Sequence, residues 1–415
     1  MKLRKISIFI LIIFITMLFT GCWDKVELEE EGYVAAIGFD KGSNNHIRIT
    51  FQITNPKAAG TSKSSEVSGE KKYEVISFDA VGPLTARDIS SICITRRIDL
   101  SHAKAIIVGE EFARSETFFH TIEAALRDKQ FRRAINIMVS VERAEDFIKN
   151  NQPILEDRMQ KFYEFMTSRW KETGLVPLSE LNRFMYRTEQ GEGIFLSIYG
   201  SAKRSTQKDT EEDANYLPGE LNMEADNTVE IIGSAVFRDG KMIGRLTGGE
   251  TRIATLLRET PEAKTFASSF PDPLNNNYRI EGKVLKKKRT KISIDITGNK
   301  PVVSVKVPIS VEILGIPSFI NYVTDKKMQN KLKNSIESYF EEKAMQLVTK
   351  TQAEYKGDPF LWEYKVRGKF LTYDEFKRFG WMDRYEDAEV SIHFDVTITG
   401  FGKQISLPVK AKIEN

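Results

Sequence analysis

Cysteine and histidine are scarce: two cysteines, at 22 and 93, and four histidines, at 46, 102, 120 and 393, in 415 residues. Two thiols do not make a disulfide framework, and histidines without partners at ligand spacing do not make a zinc site. Net charge is scarce too. The +3 total comes from 61 basic and 58 acidic residues; Lys2, Arg4 and Lys5 supply the excess and leave 58 against 58 in the rest. A neutral body lacks the basic surface that neutralises phosphates, which argues against a nucleic-acid partner. Catalytic signatures are missing: there is no GxSxG elbow, no GxxxxGK[ST] loop, no HExxH and no strand–GxGxxG–helix fingerprint. Gly191-Glu192-Gly193 is too short for a phosphate cradle and reads as a turn, and Glu211-Glu212-Asp213 reads as a solvated run. No catalytic, cofactor-binding or metal-ligating residue is assigned, although a glycosidase pair of carboxylates far apart in the chain stays open.

What is present is ordinary globular composition, 41 % hydrophobic and 29 % charged, over a length that fits two or three domains. Residues 6–19 form a 14-residue apolar run in which only Ser7 and Thr16 are polar. As a helix it is about 21 Å long, short of the ~30 Å hydrocarbon core of a bilayer. Behind the basic n-region it reads as a signal peptide over residues 1–21. Phe19-Thr20-Gly21-Cys22 resembles a bacterial lipobox, with Phe19 where leucine is usual and Leu18 one step earlier. The resemblance implies cleavage before Cys22, a diacylglyceryl thioether on its sulfur and acylation of its amine. Each buried CH₂ contributes about 0.8 kcal/mol, so two chains hold where one exchanges. The competing reading is a plain signal peptide followed by a chance cysteine. Cys93, in an apolar-periodic stretch, is expected to be a buried, inert thiol.

Along the chain, 33–40 and 47–54 read as strands around a Gly/Asn turn, and 57–72 as a Gly/Ser/Lys loop. Strands near 73–78, 103–108 and 134–141 then alternate with helices near 80–95, 111–128, 143–151, 153–172 and 178–186. This predicts an N-terminal α/β domain over 22–200. Residues 201–226 read as a polar linker. Val229–Phe237 and Met242–Leu246 flank Asp239-Gly240, a type I′ hairpin signal, with a helix over 247–258 after it. That predicts a small middle domain, 201–272. In the C-terminal domain, 273–415, alternating runs from Ile292 and Val303 predict an antiparallel hairpin, with Pro308 marking an edge or bulge. Thr324 is the expected N-cap of a long helix to Glu354, and strands from Val390 and Ile405 are expected to close a second hairpin about Gly400–Gly402. The expected class is α/β (α+β): mixed and antiparallel sheets flanked by helices, in three domains.

Three further features invite functional readings. Gly248-Gly249 opens a helix and could offer N–H groups to an anion. The cluster from Lys283 to Lys291 could meet anionic headgroups or be a solvated turn. The aromatics between Phe360 and Tyr385 could form a partner-facing patch, though core packing is the plainer reading.

Gly21-Cys22-Trp23-Asp24, then Glu27-Leu28 and Ala36-Ile37-Gly38-Phe39-Asp40, resemble the N-terminus of the spore germination receptor C-subunit lipoproteins, the Ger(x)C family. So do Leu100–Lys104 with Val108-Gly109-Glu110, and Gly233-Ser234-Ala235-Val236-Phe237 with Glu250-Thr251-Arg252. After its long helix the family often carries a D-x-F-G-F-G-like run; here Asp358-Pro359-Phe360-Leu361-Trp362-Glu363 stands. The resemblance implies a lipid-anchored, non-enzymatic subunit of a nutrient germinant receptor, on the outer face of the spore inner membrane. It also implies integral-membrane A and B subunits as partners, three α/β domains, and no germinant pocket in this subunit. Two other classes stay open: a lipid-anchored solute-binding protein, against which the antiparallel hairpins speak, and a lipid-anchored envelope hydrolase.

Overall fold

The computed structural model describes Arg4, residues 6–10, Glu27, and residues 30–55, 72–156, 158–190, 193–206, 208, 214–260 and 262–403. Cys22 with its lipobox, nearly all of the 57–72 loop, Glu211-Glu212-Asp213 and the strand expected from Ile405 lie outside the described residues.

The first sheet contains β1 (Glu31–Lys41), β2 (Ile47–Thr54), β3 (Tyr73–Ala80), β4 (Arg97–Asp99), β5 (Ala105–Gly109), β6 (Asn136–Ser140), β7 (Phe195–Ser201), β8 (Glu230–Arg238) and β9 (Lys241–Leu246). Its order is β3-β2-β1-β5-β6-β7-β8-β9, with β4 paired to the start of β1. The middle strands β1, β5, β6 and β7 run parallel, so helical crossovers join them. These are α1 (Pro83–Ser90), α2 (Glu110–Ala113), α3 (Thr117–Ala125), α4 (Ala144–Asn150), α5 (Met159–Thr167) and α6 (Leu181–Gln190). Apolar clusters cover both faces, one around Phe39, Phe118, Phe184 and Phe237, the other around Phe147, Tyr163 and Ile198. That explains why every residue of β5 is buried and why its sequence does not alternate. In β1 the register slips between Val34 and Ala36, so Val34, Ile37 and Phe39 share one cluster despite odd spacing.

Residues 201–272, expected to form a middle domain, are divided between two sheets. The β8–β9 hairpin extends the first sheet through β7, and its Asp239 (φ +51°) and Gly240 (φ +78°) take the left-handed conformations of a type I′ turn. After α7 (Gly248–Leu256), β10 (Thr265–Pro271) opens the second sheet. This sheet continues with β11 (Arg279–Leu285), β12 (Lys291–Asp295), β13 (Val302–Gly315) and, after α8 (Lys326–Lys350), α9 (Glu363–Arg367), α10 (Tyr373–Phe379) and α11 (Trp381–Tyr385), with β14 (Glu389–Gly400). The α/β class with mixed sheets flanked by helices is thus the architecture observed.

Several details differ from expectation. β14 pairs with β13 in parallel, because a helical crossover rather than a tight turn joins them. Pro308 lies inside the sheet, between the last β12 pair at Lys306 and the first β11 pair at Ser310, where a missing N–H leaves no ladder bond unmade. Asp325, not Thr324, caps α8, its carboxylate accepting from Lys327 N at 2.8 Å and Met328 N at 3.3 Å. The helix ends in a π-turn over Thr351–Tyr355, and Leu332, Ile336, Phe340, Ala344 and Leu347 form its buried stripe, with Phe340 stacked on Phe394 at 5.1 Å.

α8 also covers the outer edge of β14. Glu341 accepts from Phe394 N and Glu337 from Val396 N, each at 3.0 Å, so two glutamates one helical turn apart satisfy alternate donors of the strand. Unpaired edge donors invite strand addition. The double substitution Glu337→Ala/Glu341→Ala keeps good helix formers yet bares that edge. We expect unchanged helix content by circular dichroism and concentration-dependent association by sedimentation velocity; a variant that sediments as the wild type would refute the edge-capping role.

Candidate functional site

The sequence-level candidates do not converge. His46 contacts the carbonyls of Ser43 and Asn44, His102 meets the Tyr33 ring edge-on at 4.9 Å, and His393 meets Glu341 at 2.8 Å. Among the described residues no group of three His, Cys, Asp or Glu could hold a metal ion. Cys93 is exposed, contrary to the expectation of a buried thiol. The reason is that α1 ends at Ser90, so the helical period that would have turned Cys93 inward stops before reaching it. The Gly248-Gly249 entrance is closed to an anion. Gly248 N donates to Tyr216 O at 3.1 Å and Gly249 N to Ala214 O at 2.6 Å, while Thr247 and Glu250 cap each other. In the basic cluster, Lys283, Lys287, Lys288, Arg289 and Lys291 are exposed. Lys286 is buried, with Nζ on Thr290 Oγ1 at 2.6 Å, and burial lowers its amine to about 8. Of the C-terminal aromatics, Phe360, Trp362, Phe376, Trp381 and Tyr385 are core, whereas Tyr364 is 47 % exposed.

The segments that carry the family resemblance act as ties. Asp40 is buried, and its carboxylate accepts from Ala144 N at 2.7 Å and Glu145 N at 3.0 Å, capping α4 from across the sheet; burial raises its pKa against those two donors. Gly233 takes φ +82°, and a Cβ there would lie 2.4 Å from Leu246 O, so the β8–β9 contact requires glycine. Each residue of Glu250-Thr251-Arg252 fastens α7 to a different neighbour. Glu250 pairs with Lys350 of α8 at 2.8 Å, Thr251 bonds Ser234 of β8 at 2.8 Å, and Arg252 donates to Thr173 O and Ala267 O and covers the Phe266 ring at 4.5 Å.

Sequence reasoning missed the joint between the two sheets. One apolar cluster runs from Ile194, Leu196 and Val236 of the first sheet, through Ile253 and Leu257, into the whole second sheet. Polar groups are buried inside it. Asp358 accepts from Phe360 N at 2.7 Å, Glu363 N at 3.0 Å and Trp381 Nε1 at 3.2 Å. Arg187 of α6 reaches Glu363 at 2.6 Å, with both side chains at least nine-tenths buried. Burial pushes the Glu363 carboxyl up to about 8, against the pull of that guanidinium. Arg258 donates twice to Pro359 O, and Trp362 Nε1 to Leu257 O at 3.2 Å. Leu361, at the first glycine position of the family's run, takes φ +65°. A branched side chain there is strained, so the surrounding bonds hold a conformation that glycine would adopt freely.

Beside this joint, α7 and α8 enclose a cleft of about 170 Å³ whose lining includes Arg252, Arg279, Lys343, Glu250 and Tyr339. Arg279 donates to Ser269 Oγ at 2.8 Å and Ser269 O at 2.9 Å. The lining carries no histidine, cysteine or aspartate, so nothing in the cleft pairs a thiol or hydroxyl with a histidine base.

Residues 24–199 match the family described as "Spore germination protein N-terminal domain", and residues 232–402 match "Spore germination B3/ GerAC like, C-terminal". Spore germination protein B3 of Bacillus subtilis (strain 168) is 21 % identical over 412 residues, covering 96 % of this chain and 99 % of the relative. Spore germination protein YndF of the same organism is 23 % identical over 441 residues, covering 96 % and 97 %. Spore germination protein KC is 26 % identical over 153 residues, 36 % of this chain and 38 % of the relative. The crystal structure of the GerBC protein superposes with a TM-score of 0.54 at 17 % identity, covering 88 % of this chain and 96 % of that one, a likeness of fold.

Two substitutions probe the joint in opposite directions. Asp358→Ala strands three buried donors and should cost roughly 3 kcal/mol or more in urea unfolding. Leu361→Gly removes the left-handed strain and should raise stability by about 1 kcal/mol net of glycine's entropy. Equal stability of Asp358→Ala and wild type would remove the joint as a stabilising centre, and a destabilised Leu361→Gly would remove the strain.

Proposed function

Because the chain belongs to the spore germination B3/GerAC-like family, we propose that it serves in spore germination as the C subunit of a nutrient germinant receptor. In this reading it is a non-enzymatic scaffold or coupling subunit, tethered through an acylated Cys22 to the outer face of the spore inner membrane. Its partners there are the integral-membrane A and B subunits.

The observation that carries the reading is the extent of the match. Both family regions run nearly end to end through the chain, and the curated relatives it covers almost completely are named as spore germination proteins. The tether rests on the leader: a basic n-region, a short apolar run and Gly21-Cys22. Among the described residues no helix is long and apolar enough to cross a membrane; in this reading two acyl chains on Cys22 supply the hold. The scaffold role rests on the motifs themselves, whose polar residues bond neighbouring elements of the same chain.

A second reading, a lipid-anchored solute-binding protein, has the cationic cleft between α7 and α8 in its favour. The sheet topology opposes it, because such proteins repeat parallel βαβ units in two lobes. Thermal-shift screening against amino acids and sugars separates the two, since only a binder is stabilised by its ligand.

The tether is tested by growing sporulating cells with labelled palmitate. The wild-type chain should carry the label and the Cys22→Ala chain should not, and the A and B subunits should copurify with the wild type from detergent-solubilised spore membranes. A wild-type chain free of palmitate would end the tethered reading; absence of both membrane subunits would end the receptor reading.

A further inference from the structure

We propose that the outer face of α1 and the turn after it form a membrane-contact surface that lies in the acyl–headgroup boundary of an anionic bilayer, beside the acyl anchor. Val81, Leu84, Ile89 and Ile92 expose 75 %, 58 %, 39 % and 81 % of their surface, and they fall on or next to one side of an eight-residue helix. Leu155, Phe319 and Leu371 are exposed as well, but these four branched side chains fall within twelve residues, on one helix and its flanking turns.

The path of the chain says what lies opposite them. After Ile92 the backbone passes to β4, where Arg97 pairs with Glu31, the first residue of β1. Five residues separate Ile92 from Arg97, which bounds their separation at about 18 Å. Glu31 is nine residues from Cys22, a tether of up to about 30 Å when extended. A lipid on Cys22 therefore holds this end of the sheet close to the bilayer, and the tether is long enough for the acyl chains and the apolar face to share one membrane plane.

Charge agrees with that placement. Arg96 and Arg97 follow the apolar face; Arg97 is exposed and Glu31 opposite it feels its charge, but no ion pair of either arginine forms among the described residues, which leaves guanidinium donors for phosphate headgroups. Asp88 is exposed between Leu84 and Ile92 and sets the depth: the carboxylate stays at headgroup level, so the contact is a shallow wedge. Size argues against a protein partner as the main occupant. Four side chains on a convex helix fall well short of the ~800 Å² per partner that a stable protein interface buries.

This inference rests on the tethered reading above, and Cys93 lets the two be tested apart. Once the Cys22 sulfur is a thioether, Cys93 is the remaining thiol of the chain, and it is exposed next to Ile92. An environment-sensitive fluorophore on Cys93 of the full chain, reconstituted in phosphatidylcholine/phosphatidylglycerol vesicles, should be quenched by about half by nitroxides on lipid tails near the headgroup. Leu84→Gln/Ile92→Gln alters only exposed positions, so it should keep the palmitate label and membrane attachment while losing that quenching. Lipid quenching no greater in the wild type than in the double variant would overturn the proposal. Shielding of the label that appears only when the integral-membrane subunits are co-reconstituted would also overturn it, in favour of a protein contact. A chain without palmitate would instead defeat the tethered reading, whatever the fluorophore reports.

Discussion

Burial of ionisable and polar groups at the junction of the two sheets constrains everything around it. Asp358 and Glu363 sit in a continuous apolar core that both sheets share, and neither can be there without partners. A buried charge deprived of its partner costs several kcal/mol. The partners come from both sides. Arg187 belongs to a helix of the first sheet, Trp381 to a helix of the second, and Leu257 and Arg258 follow the helix between them. Parting the halves would strand charges as well as expose apolar surface. The strained Leu361 lies within this set of bonds, and a strained residue persists only where its surroundings over-determine it. The scaffold role proposed above would draw on such stiffness at the middle of the chain.

The residues by which the chain resembles its family turn out to be fasteners. Asp40 ends a strand and begins a helix more than a hundred residues later; Glu250-Thr251-Arg252 bind one short helix to three neighbours. None of them lies in a pocket opposite a histidine or a metal-ligand set. This pattern suits a protein whose product is a shape presented to other polypeptides, because fixed geometry requires bonds that span elements. The same economy shows at β14, where two glutamates occupy the edge donors.

Against that background the bare face of α1 stands apart. Leu84 and Ile89 on the helix, with Val81 and Ile92 flanking it, make a group of exposed apolar residues for which the proposed contact accounts. A lipid tether supplies proximity, and a shallow apolar contact adds orientation. Together, in the proposed reading, they would hold the body in one attitude on the membrane, which attachment at a single residue alone does not do.

Legibility in the sequence followed the range of the interactions. Local signals were enough for the strands with alternating side chains such as Ile47–Ile53 and Val303–Ile313, the Asp239-Gly240 turn and the apolar stripe of α8, because each depends on neighbours a few residues away. Choices between near-equal local candidates went astray: Asp325 over Thr324 as the cap, and Cys93 outside rather than inside, each decided by where a helix starts or stops. The division of 201–272 between two sheets, the parallel pairing of β14, Pro308 in a central strand and the Arg187–Glu363 joint were visible only in the folded chain. Pairing partners and buried counter-charges are set by segments up to 176 residues apart, as from 187 to 363, and no window of sequence contains both ends of such a contact. The sequence by itself determined the family and the grammar of helices and strands; tertiary packing decided which carboxylates would be buried together and which apolar side chains would stay exposed, because both depend on contacts between distant segments.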